Sequence, residues 1–307
     1  IWSGGAFIAV GEGGVGISSG NGMSNWRTAT TGITLDLHAT AVDDIRETVA
    51  VGAGAVILDA TLGTGRDWKN EINPNRLSPP PSATYYSALW DGSRFLLGGR
   101  AGLLVQGTRQ LFSYNWTPYS SPTRSWLWDA AVASATGTNI SAAWVDGSVV
   151  LRTNRTTNTF YSAVGQGPVL LQSDNGISWL TALAPASASG VVYLGVAGQQ
   201  DKLIAVGTGG SIALSLPEYE PSVSTNSFTN NAQVLTVGLT NAVNTVGLTW
   251  SAAVSGTTAD LQGVCLSDNL AVVTGDLVHH ALQCREPNWF TVFDSDPEAA
   301  VRSRRSF

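Results

Sequence analysis

A short glycine-containing pattern recurs along this chain of 307 residues, and its repetition narrows the choice of fold more than anything else in the sequence. In four of the six copies an apolar run ends in a Gly-x-Gly turn, and a second apolar run follows at once. In the copy that begins at Phe95 the turn is Gly98-Gly-Arg-Ala-Gly102. The last copy, which ends at Gly275, has lost part of the turn. The six copies begin at Phe7, Val49, Phe95, Ser162, Leu203 and Leu270. Such repetition is typical of architectures in which each unit packs against its neighbours.

A tryptophan follows every copy in a similar phase. These six tryptophans are Trp26, Trp68, Trp116, Trp179, Trp250 and Trp289. Most copies are also preceded by a further apolar run that ends in a polar turn, as in Tyr85 to Trp90 before Asp91-Gly92. The complete unit therefore reads as four antiparallel strands joined by tight turns, with the tryptophan on the fourth strand.

The burial needs of such a unit predict a ring. A four-stranded meander standing alone leaves two faces and two edges uncovered. Packing the units face to face around an axis buries both faces, which agrees with runs such as 7–10 that are apolar at every position. We therefore predict an all-β fold, a β-propeller of four-stranded antiparallel blades, with six blades over residues 1–293. Residues 294–307 read as a polar C-terminal tail.

Two intervals between the repeated tryptophans are longer than the others. Residues 134–158 predict an added hairpin in the fourth blade. Residues 216–247 predict an insertion in the fifth blade or, as the alternative, a weakly marked seventh blade. The first blade has no candidate for its inner strand, so we expect the chain to be a processed product or a segment of a longer protein.

The segment from Ser173 to Trp179 resembles the Asp-box, S-x-D-x-G-x-x-W, of bacterial-neuraminidase-type (BNR) repeats, with Ser173, Asp174 and Gly176 at its defining positions. Here the aspartate stands one position early. The run from Thr249-Trp250 to Gly263-Val resembles the junction between blades in bacterial repeat propellers that include photosystem II assembly factors. Sortilin-type receptors and sialidases also carry the Asp-box. The resemblance implies a propeller fold and no particular activity, because the motif is a structural turn.

Composition argues against several classes of partner. The net charge is −6 and only 12% of residues are charged, with basic residues clustered only at Arg302, Arg304 and Arg305. A nucleic-acid surface is therefore not expected, and no apolar run is long enough for membrane insertion. We expect protein or glycan partners, within a larger assembly.

The sequence offers little for catalysis. A sialidase or related glycoside hydrolase would need an arginine triad, and the segment around Arg76 lacks the expected aromatic residue and residue order. Asp43-Asp44 lies at a hairpin turn, where aspartate caps main-chain N–H groups. His279-His280 point to opposite faces of a strand and cannot bind one metal ion. We therefore predict no enzyme activity, no metal and no cofactor.

Several residues remain as candidate sites. Trp126 and Trp128 alternate with Leu127, which favours core packing, with a binding surface as the alternative if they are exposed. Cys265 and Cys284 fall in the last blade, where a disulfide and two separate thiols are both open. The N-glycosylation sequons begin at Asn115, Asn139 and Asn154.

These patterns lead to one functional prediction with two alternatives. We predict a non-catalytic structural, adhesive or recognition module in an extracellular or secretory setting, with a lumenal or periplasmic space as the other setting. The alternatives are a photosystem-type assembly factor and a sialidase-like glycoside hydrolase.

Overall fold

The computed structural model describes residues 1–60, 63–70, 83–111, 113–146, 148–185, 190–230, 233–267 and 270–274. Strands dominate these residues and form successive antiparallel sheets. The blade 1 strands are β1 (Phe7–Val10), β2 (Gly16–Ser19) and β3 (Arg27–Ala29). The blade 2 strands are β4 (Leu37–Val42), β5 (Thr48–Gly52), β6 (Ile57–Ala60) and β7 (Trp68–Asn70).

Blades 3, 4 and 5 each have four described strands. The blade 3 strands are β8 (Tyr85–Trp90), β9 (Arg94–Gly99), β10 (Leu104–Arg109) and β11 (Tyr114–Tyr119). The blade 4 strands are β12 (Leu127–Val145), β13 (Ser148–Gly165), β14 (Val169–Ser173) and β15 (Leu180–Thr181). The blade 5 strands are β16 (Tyr193–Gln199), β17 (Lys202–Gly207), β18 (Ile212–Asn230) and β19 (Gln233–Ala253). A further hairpin, β20 (Gly263–Ser267) with β21 (Leu270–Thr274), begins the sixth repeat.

The order of the inner strands makes the fold a β-propeller. The strands β4, β8, β12, β16 and β20 open successive repeats, and each contacts the next one along the chain. The sheets therefore stand side by side around a common axis, as the sequence predicted. In blade 1 the described strands correspond to the second, third and fourth strands of the other blades.

The hydrophobic cores lie between blades. In β5, Val49 and Val51 pack with blade 3, whereas Ala50 between them packs with blade 1. In β9, Phe95 packs with blade 2 and Leu96 with blade 4. Alternate residues of one strand thus enter different cores, which is why these strands are apolar throughout.

The repeated tryptophans close these cores from the outer side of each blade. Trp68, Trp116, Trp179 and Trp250 are only 5–8% exposed, and each belongs to the core shared with the preceding blade. Trp26 of blade 1 is 41% exposed. Trp289 lies outside the described residues.

The Gly-x-Gly turns bring neighbouring chain segments into close contact. A Cβ atom on Gly165 would lie 1.8 Å from the carbonyl oxygen of Trp126, and one on Gly207 would lie 2.2 Å from that of Val192. The next residue in each turn uses that same oxygen: the N–H of Gln166 donates to Trp126 at 2.8 Å and that of Thr208 to Val192 at 3.0 Å. The glycine therefore leaves room for the turn to reach the start of the inner strand.

The two long intervals extend existing hairpins. Residues 134–158 form the outer part of the β12–β13 hairpin, and residues 216–247 belong to the β18–β19 hairpin. These extensions are called arm 1 and arm 2 below. They meet at a bridge between Thr138 and Ala242, which joins blades 4 and 5 into one eight-stranded sheet.

Candidate binding site at the start of the inner strands

Each of blades 2 to 5 begins its inner strand with the same backbone irregularity. The strand pairing shifts register between the first and third residues of β4, β8, β12 and β16, so that the second residue is an extra one. The four extra residues are His38, Tyr86, Trp128 and Leu194. A β-bulge re-aims side chains and is frequent beside functional sites, which directs attention to this end of the inner strands.

Side chains from blade 2, blade 3 and the connection to blade 4 form a continuous row here. The His38 ring lies 5.1 Å from the Tyr86 ring, measured between centroids. Tyr86 stacks on Trp126 at 5.6 Å, with 18° between the ring planes. The guanidinium of Arg100 lies over the Trp126 ring, 5.3 Å from its centroid, which is the geometry of a cation–π contact. These four side chains are called the aromatic stack below.

A tight turn positions Arg100 at one end of the aromatic stack. Its N–H donates to the carbonyl of Thr84 at 2.8 Å, and its own carbonyl accepts from the N–H of Leu103 at 3.2 Å. The turn requires φ of +58° at Ala101, in the left-handed region that favours glycine. Arg100 is exposed, and no carboxylate of the described residues forms an ion pair with it. Its guanidinium is therefore available to a ligand.

Trp126 and Trp128 are both half-buried, and neither belongs to a hydrophobic core cluster. Leu127 between them is fully buried. The two tryptophans therefore lie on either side of the first residue of β12, neither in a core cluster nor exposed, and their role in binding stays a prediction. The sequence did not single out His38, Tyr86 or Arg100, because their proximity to Trp126 depends on contacts between blades.

Asp129, the residue after Trp128, connects blades 4 and 5. Its carboxylate accepts hydrogen bonds from the N–H groups of Ala130 and Val196, both at 2.9 Å. The residue is half-buried as a whole, but its carboxylate is densely surrounded by protein. This burial raises the pKa of Asp129 to about 6 in spite of the two N–H donors. The carboxylate satisfies main-chain donors and so has a structural explanation.

The turn aspartates on the opposite side of the blades also connect neighbours. Asp43 accepts hydrogen bonds from the N–H groups of Ile45 at 3.0 Å and Glu47 at 2.7 Å, as expected of a turn residue. Its other oxygen accepts from the Tyr114 hydroxyl and the Arg109 guanidinium of blade 3. Asp43 therefore holds its own turn and attaches it to the next blade.

Asp91 repeats this arrangement one blade later. It accepts from the N–H groups of Ser93 and Arg94 at 2.8 and 2.9 Å, and from the Tyr161 hydroxyl of blade 4 at 2.9 Å. Burial opposes its ionisation, but the hydrogen bonds from Ser93 and Arg94 outweigh burial and hold the pKa of Asp91 below its usual value. Burial and the nearby Asp91 charge raise the pKa of Tyr161 to about 12, so the hydroxyl stays protonated and donates.

The turn at 173–179 is built on a different residue from the one assigned to it. The Asn175 side-chain oxygen accepts from the N–H groups of Ile177 and Ser178, both at 2.8 Å, and Ser173 Oγ accepts from the N–H of Gly176 at 2.9 Å. The Trp179 indole N–H donates to the Gly176 carbonyl at 3.1 Å. Asp174 is exposed. Asn175 stands two residues after Ser173, the spacing of the aspartate in S-x-D, and it replaces Asp174 in that role.

The remaining candidate residues lie apart from the aromatic stack. Asn115 is exposed on β11 and Asn154 on β13, and Asn139 lies in β12. Cys265 is exposed on β20. Cys284 lies outside the described residues, so the disulfide stays a prediction.

The described residues were also searched for metal sites and for membrane-spanning helices. They contain no group of three or more His, Cys, Asp or Glu side chains placed to hold a metal ion. No helix among them has the length and apolar character that a membrane crossing requires.

Comparisons with known proteins add little detail. No family model matches the chain, and no curated protein matches it. A solved structure described as "YCF48 bound to D1 peptide" is similar at 15% sequence identity and a TM-score of 0.36, over 78% of this chain and 88% of that one.

Proposed function

We propose that this protein is a non-catalytic recognition propeller whose aromatic stack binds an extended, acidic segment of a protein partner. The observation that carries the proposal is the stack itself, which crosses from blade 2 to the start of blade 4 and ends at the exposed guanidinium of Arg100. Aromatic and arginine side chains supply most of the binding energy in many protein interfaces. A carboxylate on the partner could form an ion pair with the Arg100 guanidinium.

The arrangement of the rings favours a protein segment over a glycan. A sugar that stacks on an aromatic ring needs an open ring face. Tyr86 already lies between His38 and Trp126, and Trp126 carries both Tyr86 and Arg100 over its ring. What the stack offers is a row of ring edges and one cation, which suits the backbone and side chains of an extended peptide.

The use of the carboxylates supports a role without catalysis. Asp43, Asp91 and Asp129 each accept hydrogen bonds from main-chain N–H groups, and each contacts the next blade. Arg94 and Arg109 are engaged by the turn aspartates. These groups hold blades together, whereas a glycosidase would need acids and arginines that converge on a substrate.

The proposal includes an extracytoplasmic setting and the Asp-box as the structural turn of blades 1 and 4. The exposure of Asn115 and Asn154 supports the setting, because a sequon must be accessible to be glycosylated. The turn of blade 1 supports the motif: Asn21 accepts from the N–H groups of Met23 at 3.0 Å and Ser24 at 2.9 Å, as Asn175 does in its own turn. Expression through a secretory pathway, with mass spectrometry of the two asparagines, tests the setting.

The test of the function is selection from two probes in parallel, a phage-displayed library of random linear peptides and a glycan array. We expect enrichment of acidic peptides from the library and no selective binding on the array. The double variant Arg100→Ala with Trp126→Ala should weaken binding of an enriched peptide at least about tenfold, which corresponds to about 1.4 kcal/mol.

The matched control is Arg27→Ala, an exposed arginine on β3, which should leave peptide binding unchanged. Equal binding by the wild type and the stack variant would contradict the site. Selective glycan binding that the stack variant loses would keep the site and replace the class of ligand.

A further inference from the structure

The turns between the second and third strands of blades 1 and 5 each bind a carboxylate of the chain itself. In blade 1 the N–H of Gly13 donates to Asp36 Oδ1 at 2.8 Å. In blade 5 the N–H of Gly209 donates to Asp260 Oδ1, also at 2.8 Å. Both glycines have a left-handed backbone, with φ of +63° and +64°. Main-chain N–H groups in turns of this kind form sites for anions.

Asp36 and Asp260 occupy equivalent positions between blades. Each directly precedes a leucine whose N–H donates, at 3.0 Å, to the carbonyl of the first glycine of the same turn. These leucines are Leu37, the first residue of β4, and Leu261. Each carboxylate therefore comes from the connection to the next blade and reaches back to the turn of the blade before it.

The turn of blade 3 has the same backbone conformation but binds no carboxylate. Ala101 stands at the position of Gly13 and Gly209, with φ of +58° and ψ of +35°. It is exposed. None of the described residues accepts a hydrogen bond from its N–H. An acceptor from another molecule therefore has access to this turn.

Trp126 takes the place of the aspartate at the turn of blade 3. Like Asp36, it directly precedes the first residue of an inner strand, and its carbonyl accepts an N–H from the turn of that strand's own blade. The donors are Ala53 for Asp36 and Gln166 for Trp126, both at 2.8 Å. The Trp126 side chain turns back to the preceding blade, where it stacks on Tyr86. An indole has no hydrogen-bond acceptor, so the turn keeps an open N–H.

Among the described turns, only that of blade 3 has a cation beside this N–H. Arg100 directly precedes Ala101, and the turns of blades 2 and 4 have neither the aspartate nor a cation. The five N–H donors of a guanidinium allow Arg100 to contact the Trp126 ring and a carboxylate together. Blade 3 thus offers two neighbouring donors, and the hydrogen bonds from both to one carboxylate would be charge-assisted. The residues that correspond to Arg100 in the other described turns are Glu12, Ala53, Gln166 and Thr208.

We propose that the aromatic stack anchors its ligand by one carboxylate, which accepts hydrogen bonds from the Ala101 N–H and the Arg100 guanidinium. This carboxylate takes the position that Asp36 and Asp260 take at the turns of blades 1 and 5. The inference rests on the proposed function and adds the group that the partner presents at this turn. A peptide has two sources of a carboxylate, an aspartate or glutamate side chain and its C-terminus, and the chemistry of the site is the same for both.

The first experiment uses acetate as the probe and acetamide as its uncharged control. The full chain is labelled with ¹⁵N-alanine and ¹⁵N-glycine, and the amide signals are followed by two-dimensional NMR. Acetate should shift the Ala101 amide proton downfield and saturably, because the proton gains a charge-assisted hydrogen bond. The amides of Gly54 and Gly167, the equivalent residues of blades 2 and 4, should not respond. An Ala101 amide that ignores acetate, or that responds equally to acetamide, would overturn the proposal.

Substitutions at Trp126 test whether this position reaches the turn. Trp126→Asp places an aspartate where Asp36 and Asp260 stand in the other blades. Its carboxylate should accept from the Ala101 N–H, so that the Ala101 amide lies downfield before acetate is added and no longer responds. Trp126→Ala, which removes the ring without adding an acid, should still respond. Equal behaviour of the two variants would contradict the equivalence on which the anchor depends.

A matched pair of arginine variants tests the second donor. Arg100→Gln should weaken acetate binding about threefold, as expected of an exposed ion pair. Arg152→Gln replaces an exposed arginine of arm 1 and should leave acetate binding unchanged. Ala101→Gly identifies the alanine signal and keeps the N–H in a residue that favours left-handed backbone. Equal acetate binding by Arg100→Gln and the wild type would remove the guanidinium from the anchor.

Peptides separate the anchor from the function on which it rests. An acidic peptide that binds the wild type is prepared with an amidated C-terminus and, separately, with its acidic residues replaced by asparagine and glutamine. One of these forms should bind at least about tenfold more weakly, and it identifies the source of the carboxylate. If both bind like the parent, and Arg100→Ala with Trp126→Ala still weakens binding, the peptide site is right and the carboxylate anchor is wrong. If no acidic peptide is selected but Ala101 responds to acetate, the anchor is right and the peptide ligand is wrong.

Discussion

Blades 1 and 4 share the same sequence features but differ in what surrounds them. Both have a glycine at the end of the second strand, Gly11 and Gly165, and both have an Asn-containing turn before a tryptophan. A Cβ atom on Gly11 would meet nothing within 4 Å, whereas on Gly165 it would lie 1.8 Å from a carbonyl oxygen. Trp26 is 41% exposed and Trp179 only 7%.

The difference follows from which strands and blades are adjacent. Blade 4 has the inner strand β12, and blade 3 precedes it and shares a core with Trp179. The described part of blade 1 has no inner strand, and the described core that involves blade 1 lies on its side towards blade 2. Local sequence therefore sets the turns, whereas burial of the glycine and the tryptophan depends on a neighbour. Paired substitutions in the two blades measure these contributions separately.

The largest difference in stability between the two blades is expected for substitution of their tryptophans. Trp179→Ala should lower the free energy of unfolding by about 4 kcal/mol, because it opens a cavity between blades 3 and 4 and removes the hydrogen bond to Gly176. Trp26→Ala should cost much less, about 1 kcal/mol, since the residue is already 41% exposed. Urea unfolding of both variants measures the two values. Similar losses would show that Trp26 is as well packed as Trp179.

The two glycine substitutions should differ in their effect on the free energy of unfolding by somewhat less than the two tryptophan substitutions do. Gly165→Ala forces the chain away from Trp126 and should cost about 3 kcal/mol, the upper range for overpacking. Gly11→Ala has an open position and a φ of −166°, so its unfolding free energy should stay within about 0.5 kcal/mol of the wild type. Failure of Gly165→Ala to fold, with Gly11→Ala folded, agrees with the expectation. Equal tolerance of the two would mean that the turn of blade 4 moves freely.

Asp129 lies on the inner strand of blade 4 and makes the free energy of unfolding depend on pH. Its raised pKa means that the folded protein favours the protonated acid. Its stabilising contribution is complete below about pH 4, the value of an unfolded aspartate, and is lost as pH rises towards 6. Over this window the wild type should lose at most about 3 kcal/mol relative to Asp129→Asn, which stays neutral. Urea unfolding of both proteins at pH 4 and 7 gives this difference. A pH-independent difference would show that water reaches the carboxylate.

These cases also show how far the sequence predicts the structure. The two-sided burial of strands such as β5 and the phase of the tryptophans follow from composition and repeat length, which the sequence displays directly. The exchange of Asp174 for Asn175 was detectable from spacing alone, since Asn175 occupies the position of the aspartate in S-x-D. The aromatic stack was not predictable, because Tyr86 and Trp126 are brought together only by the packing of one blade against the next.

The smallest loss of stability is expected for the turn asparagines, and it should be equal in blades 1 and 4. It tests whether local sequence alone sets these turns. Asn175→Ala and Asn21→Ala each remove an acceptor of two main-chain N–H groups in an exposed turn. Each should lower the free energy of unfolding by about 1 kcal/mol, because water partly replaces the lost bonds. Asn175→Asp and Asn21→Asp, measured alongside, keep the acceptor and should retain stability. If Asn175→Ala costs several times as much as Asn21→Ala, the turn depends on the neighbouring blade, through the contact of Arg94 with the Asn175 carbonyl, and local sequence does not suffice to set it.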